Sequence, residues 1–240
     1  MKKLFAVIMV IAILSIVGNA QSVDEIVNGY LKAIGAKNLK AIKTIEAKSN
    51  MVDNRGMEMQ LTIWLKRPNL VKSEILIGTQ KVIQAYDGKT AWVIAPQSGS
   101  LDPRVLPEGQ ALQIKDTFEM IEDSLMDYKE KGHTIEFLGK EEADGKTFFK
   151  LKLTKKSKRE STLFFDTETF LLNQISLMQK RGETESPMDI IFEDYRDVAG
   201  AKISHKVSTF VNSRNIWNMT SEYFKPNIKI DDAIFRMPKK

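Results

Sequence analysis

The sequence predicts a single, mainly β (α+β) domain: a sandwich or barrel of roughly ten antiparallel strands, with a helix at the N-terminus and a helical insertion midway. Three observations predict it. The apolar period switches from 3.6 residues to two, back to 3.6, and to two again. Turn residues recur at intervals of roughly 8–12 residues. The 240 residues include no cysteine, so the fold must rest on its core and on no disulfide framework.

The chain opens MKKLFAVIMVIAILSIVGNAQ. Lys2 and Lys3 make a positive n-region, Leu4 to Val17 an apolar run, and Gly18-Asn19-Ala20 a small-residue cleavage site. Residues 1–20 therefore read as a secretory signal peptide and residues 21–240 as one domain. The run is shorter than the roughly 20 residues needed to span a bilayer, and no cysteine stands near the cut to carry a lipid anchor. The formal charge is +5, and +3 without Lys2 and Lys3. In an exported chain so mild an excess argues for solubility or an anionic lipid surface, and against nucleic acid.

Ser22-Val23-Asp24-Glu25 has the form of a capping box, and Ile26, Tyr30 and Ile34 repeat at i+4 behind it. Gly35 ends this helix. Asn38 is placed to cap a short second helix carrying Leu39, Ile42 and Ile45. Period two follows. Met57, Met59, Leu61, Ile63 and Leu65 fall on one face, and Glu58, Gln60 and Thr62 on the other, with Trp64 as the exception. Val71, Ser73, Ile75 and Ile77 continue the apolar face. Asp87-Gly88 is a strong hairpin signal between Val82–Tyr86 and Thr90–Ala95.

QSGSLDPRVLPEGQ breaks the pattern. Phe118, Ile121, Leu125 and Tyr128 then recur at helical spacing, predicting a helix over Asp116–Lys129. Strand patterns resume from Ile135 to Phe224, and Phe235 is a candidate C-terminal anchor. The Lys155, Lys156, Lys158 and Arg159 cluster lies between two strand patterns and reads as a hairpin turn.

Catalytic chemistry is not evident. His133 and His205 are the only histidines, with no second ligand at metal spacing. No G-x-S-x-G, phosphate loop or H-E-x-x-H is present. The acidic pairs Glu141-Glu142 and Asp231-Asp232 read as turn or exposed residues. The chain is therefore expected not to be an enzyme, with no cofactor and no metal. The 11 Met and 12 Phe would suit either an ordinary core or a deformable apolar cavity.

IWLKRPNLVKSEI followed by KVIQAYDGKTAWVIAP decides between them. A strand ending in Lys-Arg-Pro-Asn-Leu and a hairpin carrying Asp-Gly-Lys-x-x-Trp, in this order, resemble the LolA-like periplasmic lipoprotein carriers over Met57 to Pro96. The tail FEDYRDVAGAKISHKV…IDDAIFRMP is more similar to the wider group of outer-membrane lipoprotein-sorting proteins. The resemblance implies a strongly curved antiparallel sheet, an incomplete barrel, with N-terminal and inserted lid helices over its mouth. It also implies a periplasmic, monomeric carrier of lipoprotein or other lipid acyl chains. Such a carrier touches membranes transiently, between an inner-membrane donor complex and an outer-membrane acceptor. Arg67 falls on the family's lid-holding arginine, so contacts to the inserted helix around Phe118, Ile121 and Leu125 are expected. Val71 stands where the narrow carriers often place an aromatic, which bears on the cargo. Within the resemblance, Met59, Leu61, Ile63, Ile75 and Ile77, with Trp92 from the next hairpin, are the candidate lining of the apolar cavity. Carriage of another lipid or glycolipid, or a lipoprotein-sensing regulatory role, are the alternatives; a hydrolase lacks a nucleophile–base set.

Overall fold

The computed structural model describes residues 22–111, 114, 124–181 and 184–238. Two helices come first, α1 (Val23–Ala33) and α2 (Ala36–Ala41). Then come β1 (Thr44–Asp53), β2 (Glu58–Lys66), β3 (Leu70–Ile77), β4 (Gln80–Tyr86), β5 (Ala91–Ala95) and β6 (Ser100–Val105). After the insertion follow β7 (Thr134–Ala143), β8 (Lys146–Thr154), β9 (Glu160–Asp166), β10 (Leu172–Arg181), β11 (Thr184–Val198), β12 (Ala201–Val211) and β13 (Arg214–Pro226). A 3-10 turn, Asp232–Phe235, closes the described chain.

The capping box forms as expected. The Glu25 amide donates to Ser22 Oγ at 3.2 Å, and the Ser22 amide donates to the Glu25 carboxylate at 2.8 Å. Gly35, at φ 66°, links α1 to α2, and a Cβ there would stand 2.4 Å from the Gly200 carbonyl. That close approach docks the helix pair on the β11–β12 hairpin, where the Lys202 amide donates to the Ile34 carbonyl at 2.9 Å. The second helix is shorter than the sequence predicts. Asn38 lies inside it and donates to the Gly200 carbonyl at 2.7 Å, and Ile45 has passed into β1. β-branched Ile42, Thr44 and Ile45 favour the extended chain, and pairing with β2 and β13 decides the matter.

The strands form one thirteen-stranded antiparallel sheet in the order β6-β5-β4-β3-β2-β1-β13-β12-β11-β10-β9-β8-β7. It is an open curved sheet, not closed into a barrel. The core shows the curvature. Ile45 and Ala47 of β1 and Leu151 and Leu153 of β8 belong to one cluster around Ile26, Tyr30 and Ile34 of α1. Six strand spacings laid flat would separate β1 from β8 by about 29 Å. Both reach the same slender helix because the sheet wraps around it.

Thirteen strands exceed the roughly ten that the sequence predicts. β6 is the clearest addition: it lies in the Gly/Pro/Ser-rich break and contains Pro103. Proline is tolerated there because β6 is an edge strand, with one side free of ladder bonds. The basic Lys155–Arg159 cluster does form the β8–β9 hairpin turn, with the Lys155 amide donating to the Arg159 carbonyl at 2.9 Å.

The sheet's two edges, β6 and β7, are consecutive in sequence, so the connection 106–133 joins one edge to the other. Its described ends pack on opposite walls. Leu106 and Ile114 cluster with Val71, Ala91 and Val93 of β3 and β5. Leu125 is 1% exposed, in the cluster of α1, β8 and β9. Residues 124–125 are helical and 126–132 form turns, so the predicted helix Asp116–Lys129 lies largely outside the described residues. So does the signal peptide. No helix among the described residues is long and apolar enough to cross a membrane.

Candidate ligand-binding face

In an antiparallel pair, directly opposed residues share a face. Register therefore sorts the predicted lining. Met59 opposes Ile77 of β3 and Met51 of β1; Leu61 opposes Ile75 and Ser49; Ile63 opposes Ser73 and Ala47. Ala47 belongs to the core around α1, so all five predicted residues of β2 and β3 lie on the concave, helix-bearing face. Each is half-buried.

Trp92 does not join them. It opposes Ala85, which opposes Lys72, which opposes Trp64: the convex face. There it is 2% exposed, and its indole Nε1 donates to the Phe235 carbonyl at 2.8 Å. The C-terminal 3-10 turn covers it. This corrects the expectation that Trp92 borders the cavity. The strand pattern alone could not set which face Trp92 takes, because Ala91, Trp92 and Val93 are all buried.

The same register carries the concave face across the far wall. Met51 opposes Met219, which opposes Val207. One step further, Trp217 opposes Thr209, Thr209 opposes Ile190, and Ile190 opposes Ile175. These residues were not predicted. Their alternation in NMVD, VSTFV and IWNM was visible, but pairing of β1 with β13, across 160 residues of chain, makes them neighbours of Met59 and Leu61.

The helices fill only part of this concave face. Their cluster takes Ile45, Ala47, Ala201, Ile203 and Phe224, at one end of β1, β12 and β13. Met51, Met59, Ile77, Met219, Trp217 and Ile190 lie towards the other end, outside both core clusters. Met51 is 8% exposed and the other five are half-buried. A half-pipe thus has one end plugged by helices and the other lined by apolar, methionine-rich side chains. Thioethers on three rotatable bonds can repack around contents of varied shape.

The Lys66-Arg67-Pro68-Asn69 corner ties three segments together. The Lys66 ammonium donates to the Ile230 carbonyl and pairs with Asp232 of the C-terminal turn. Arg67 Nε donates to the Ile42 carbonyl at 3.2 Å, and its backbone amide to the Lys43 carbonyl at 2.9 Å. Ile42 is the C-cap of α2, so the guanidinium serves a carbonyl that the ended helix leaves without an i+4 donor. Asn69 lies against Gly88 of the next hairpin. The described Arg67 side-chain bond ties the end of α2 to this corner. Phe118 and Ile121 lie outside the described residues, and Leu125 packs towards α1 and β8.

Polar chemistry on the convex side is structural. Trp64, the exception in its strand's alternation, faces outward, donates Nε1 to Glu46 at 2.9 Å, and lies under the Lys72 ammonium. Burial opposes ionisation of Glu46, but hydrogen bonds from Trp64, Tyr223 and Lys225 outweigh it and lower its pKa. Across the insertion's exit, Asp24 of α1 accepts from Lys129 Nζ at 2.6 Å and from the Tyr128 hydroxyl at 2.9 Å. These two bonds lower the Asp24 pKa. Among the described residues, no three His, Cys, Asp or Glu side chains gather where a metal could bind.

No protein-family model and no curated protein sequence matches the chain. Solved structures do match in fold. A DUF1329 family protein from Desulfovibrio piger superposes with a TM-score of 0.59 at 13% identity, covering 87% of this chain and 96% of that one. A LolA superfamily protein from Nitrosomonas europaea gives 0.57 at 12% identity, covering 89% and 96%. The fold is LolA-like. A putative outer membrane lipoprotein-sorting protein domain from Vibrio parahaemolyticus gives 0.52 at 11% identity, covering 87% and 97%. At such identities the likeness to these structures concerns the fold alone.

Proposed function

We propose that the protein is an exported, periplasmic carrier. It takes up the acyl chains of lipoproteins on the free end of its concave face and passes them towards the outer membrane. The observation that carries this reading is the half-pipe itself: a continuous row of half-buried apolar side chains beyond the helix plug. Burial of each methylene is worth about 0.8 kcal/mol, so a long acyl chain gains on the order of 10 kcal/mol before entropy and opening costs. The face offers partly exposed apolar surface, and the Asp53 carboxylate at its rim is already hydrogen-bonded by Arg55 and the Met57 amide.

In this reading the 106–133 connection is the lid. It connects the two edges of the open sheet, β6 and β7. Arg67 and the Asp24–Tyr128–Lys129 cluster restrain the helical elements around it. A carrier must release as well as bind, and contacts that favour the empty, closed state lower net affinity into a transferable range. An inner-membrane donor, an outer-membrane acceptor and a monomeric carrier belong to the same proposal, as does the absence of an enzymatic step.

Native mass spectrometry of protein purified from its own cell envelope tests the reading. Co-purified mass corresponding to acylated protein or free lipid is expected. A preparation that never carries lipid, and that binds no fluorescent fatty-acid probe, overturns it.

A further inference from the structure

The concave face is mostly apolar; its polar side chains include Asp53 at the rim, Gln84, the buried His205 and a few buried hydroxyls. Ser49 Oγ and Ser221 Oγ lie 3.2 Å apart and satisfy one another. Thr209 differs. It is 3% exposed, and its hydroxyl has no hydrogen-bond partner among the described residues. Its cross-strand neighbours are Trp217 and Ile190, both half-buried. The next concave row is Met51, Met219 and Val207. Thr209 therefore sits in the end of the half-pipe away from α1 and α2, among apolar side chains of the proposed lipid-binding face. Ser124 also carries an unpartnered buried hydroxyl, but it adjoins residues outside the described set.

A buried hydroxyl left unpaired is unfavourable, and a threonine at such a position would ordinarily be replaced without loss by valine. The hydroxyl offers one O–H donor and two acceptor lone pairs. Hydrocarbon can use neither. An acyl carbonyl accepts from the donor. We propose that Thr209 forms a carbonyl-recognising subsite, donating its hydroxyl hydrogen to the ester or amide carbonyl of an acylated ligand. Bound ligand chains then run along Met51, Met219 and Ile190. This rests on the carrier reading and adds to it. The site selects for the acyl linkage as well as for chain length, and so for acylglycerol-type and N-acyl ligands over plain alkyl ones.

The test compares 1-monopalmitoylglycerol with 1-O-hexadecylglycerol, its ether counterpart without the carbonyl. Each displaces a fluorescent fatty-acid probe below its micelle concentration. The intact mature protein is expected to bind the ester about fivefold more tightly than the ether, the usual size of one net hydrogen bond. Thr209→Val should abolish that preference while leaving ether affinity unchanged, and Thr209→Ser should keep it. Ligand-free Thr209→Val should melt no lower than the wild type. Equal affinity for ester and ether in the wild type overturns the subsite and leaves the carrier reading standing. So does a preference that survives Thr209→Val, or a drop of about 3 °C or more in the melting temperature of that variant, which would reveal a bonded hydroxyl in the empty protein. Failure of both lipids to bind overturns the carrier reading and the subsite with it.

Discussion

Replacing Ile75 by glutamate probes the assignment of faces most directly. Ile75 lies between Leu61 of β2 and Val82 of β4, half-buried on the concave face. In the empty protein the carboxylate can still reach water, so the loss is mainly that of a half-buried aliphatic side chain, about 1 kcal/mol. An acyl chain laid across β2 and β3 would remove that water. The complex then loses an apolar contact and must also desolvate a carboxylate or leave it an aqueous path. Together these cost about 2–3 kcal/mol, or roughly 30- to 150-fold in Kd. The neighbouring residue supplies the control. Leu76 opposes Gln60 and Lys81, on the convex face, and is equally half-buried. Leu76→Glu should cost similar stability and leave affinity unchanged. Titration of a fluorescent fatty-acid probe, with thermal melts to confirm folding, measures both. Equal losses in the two variants, or none in Ile75→Glu, would refute the reasoning.

Trp92→Phe removes the indole donor to the Phe235 carbonyl and should cost about 1 kcal/mol, with faster hydrogen exchange in the C-terminal turn and no change in probe affinity. Arg67→Leu removes the charged bond to the end of α2, worth about 1.5 kcal/mol at this half-buried site. If that bond favours the closed state, probe binding tightens about tenfold, and Arg67→Lys falls between because an ammonium lacks the planar fork. Asp24 tests pH. Its pKa lies below the ordinary aspartate value, chiefly through the hydrogen bonds from Lys129 and Tyr128. Its contribution is therefore complete above about pH 4 and lost as pH falls through the lower folded-state pKa. Hydrogen exchange at the start of α1 should speed up over that acidic window, and Asp24→Asn should remove the dependence.

Much of the candidate site was legible in one stretch of chain. The alternation of Met59, Leu61 and Ile63 with polar partners places one face inward, and Ile75 and Ile77 follow once the β2–β3 hairpin closes. Lys66-Arg67-Pro68-Asn69 marked a corner that holds other segments, and its described arginine side-chain bond goes to the end of α2. Trp92 illustrates what periodicity lacks. A strand buried on both faces has no polar side to give its orientation away, so only pairing with β4 places the indole outside.

By itself the sequence determined the elements that depend on local physics. The capping box starts α1, Gly35 ends it, period-two patterns make strands, and Asp87-Gly88 turns a hairpin. Tertiary structure decided everything that depends on closure over long separations. β1 pairs with β13, which brings Met51 beside Met219 and Thr209 into the row of Ile190. Pro103 survives in a strand because that strand became an edge. The length of concave face left free of the helices follows from where the α1–α2 joint meets Gly200. Local preferences act over a few residues, whereas neighbours across a sheet are chosen by the whole ladder, and the binding face belongs to the ladder.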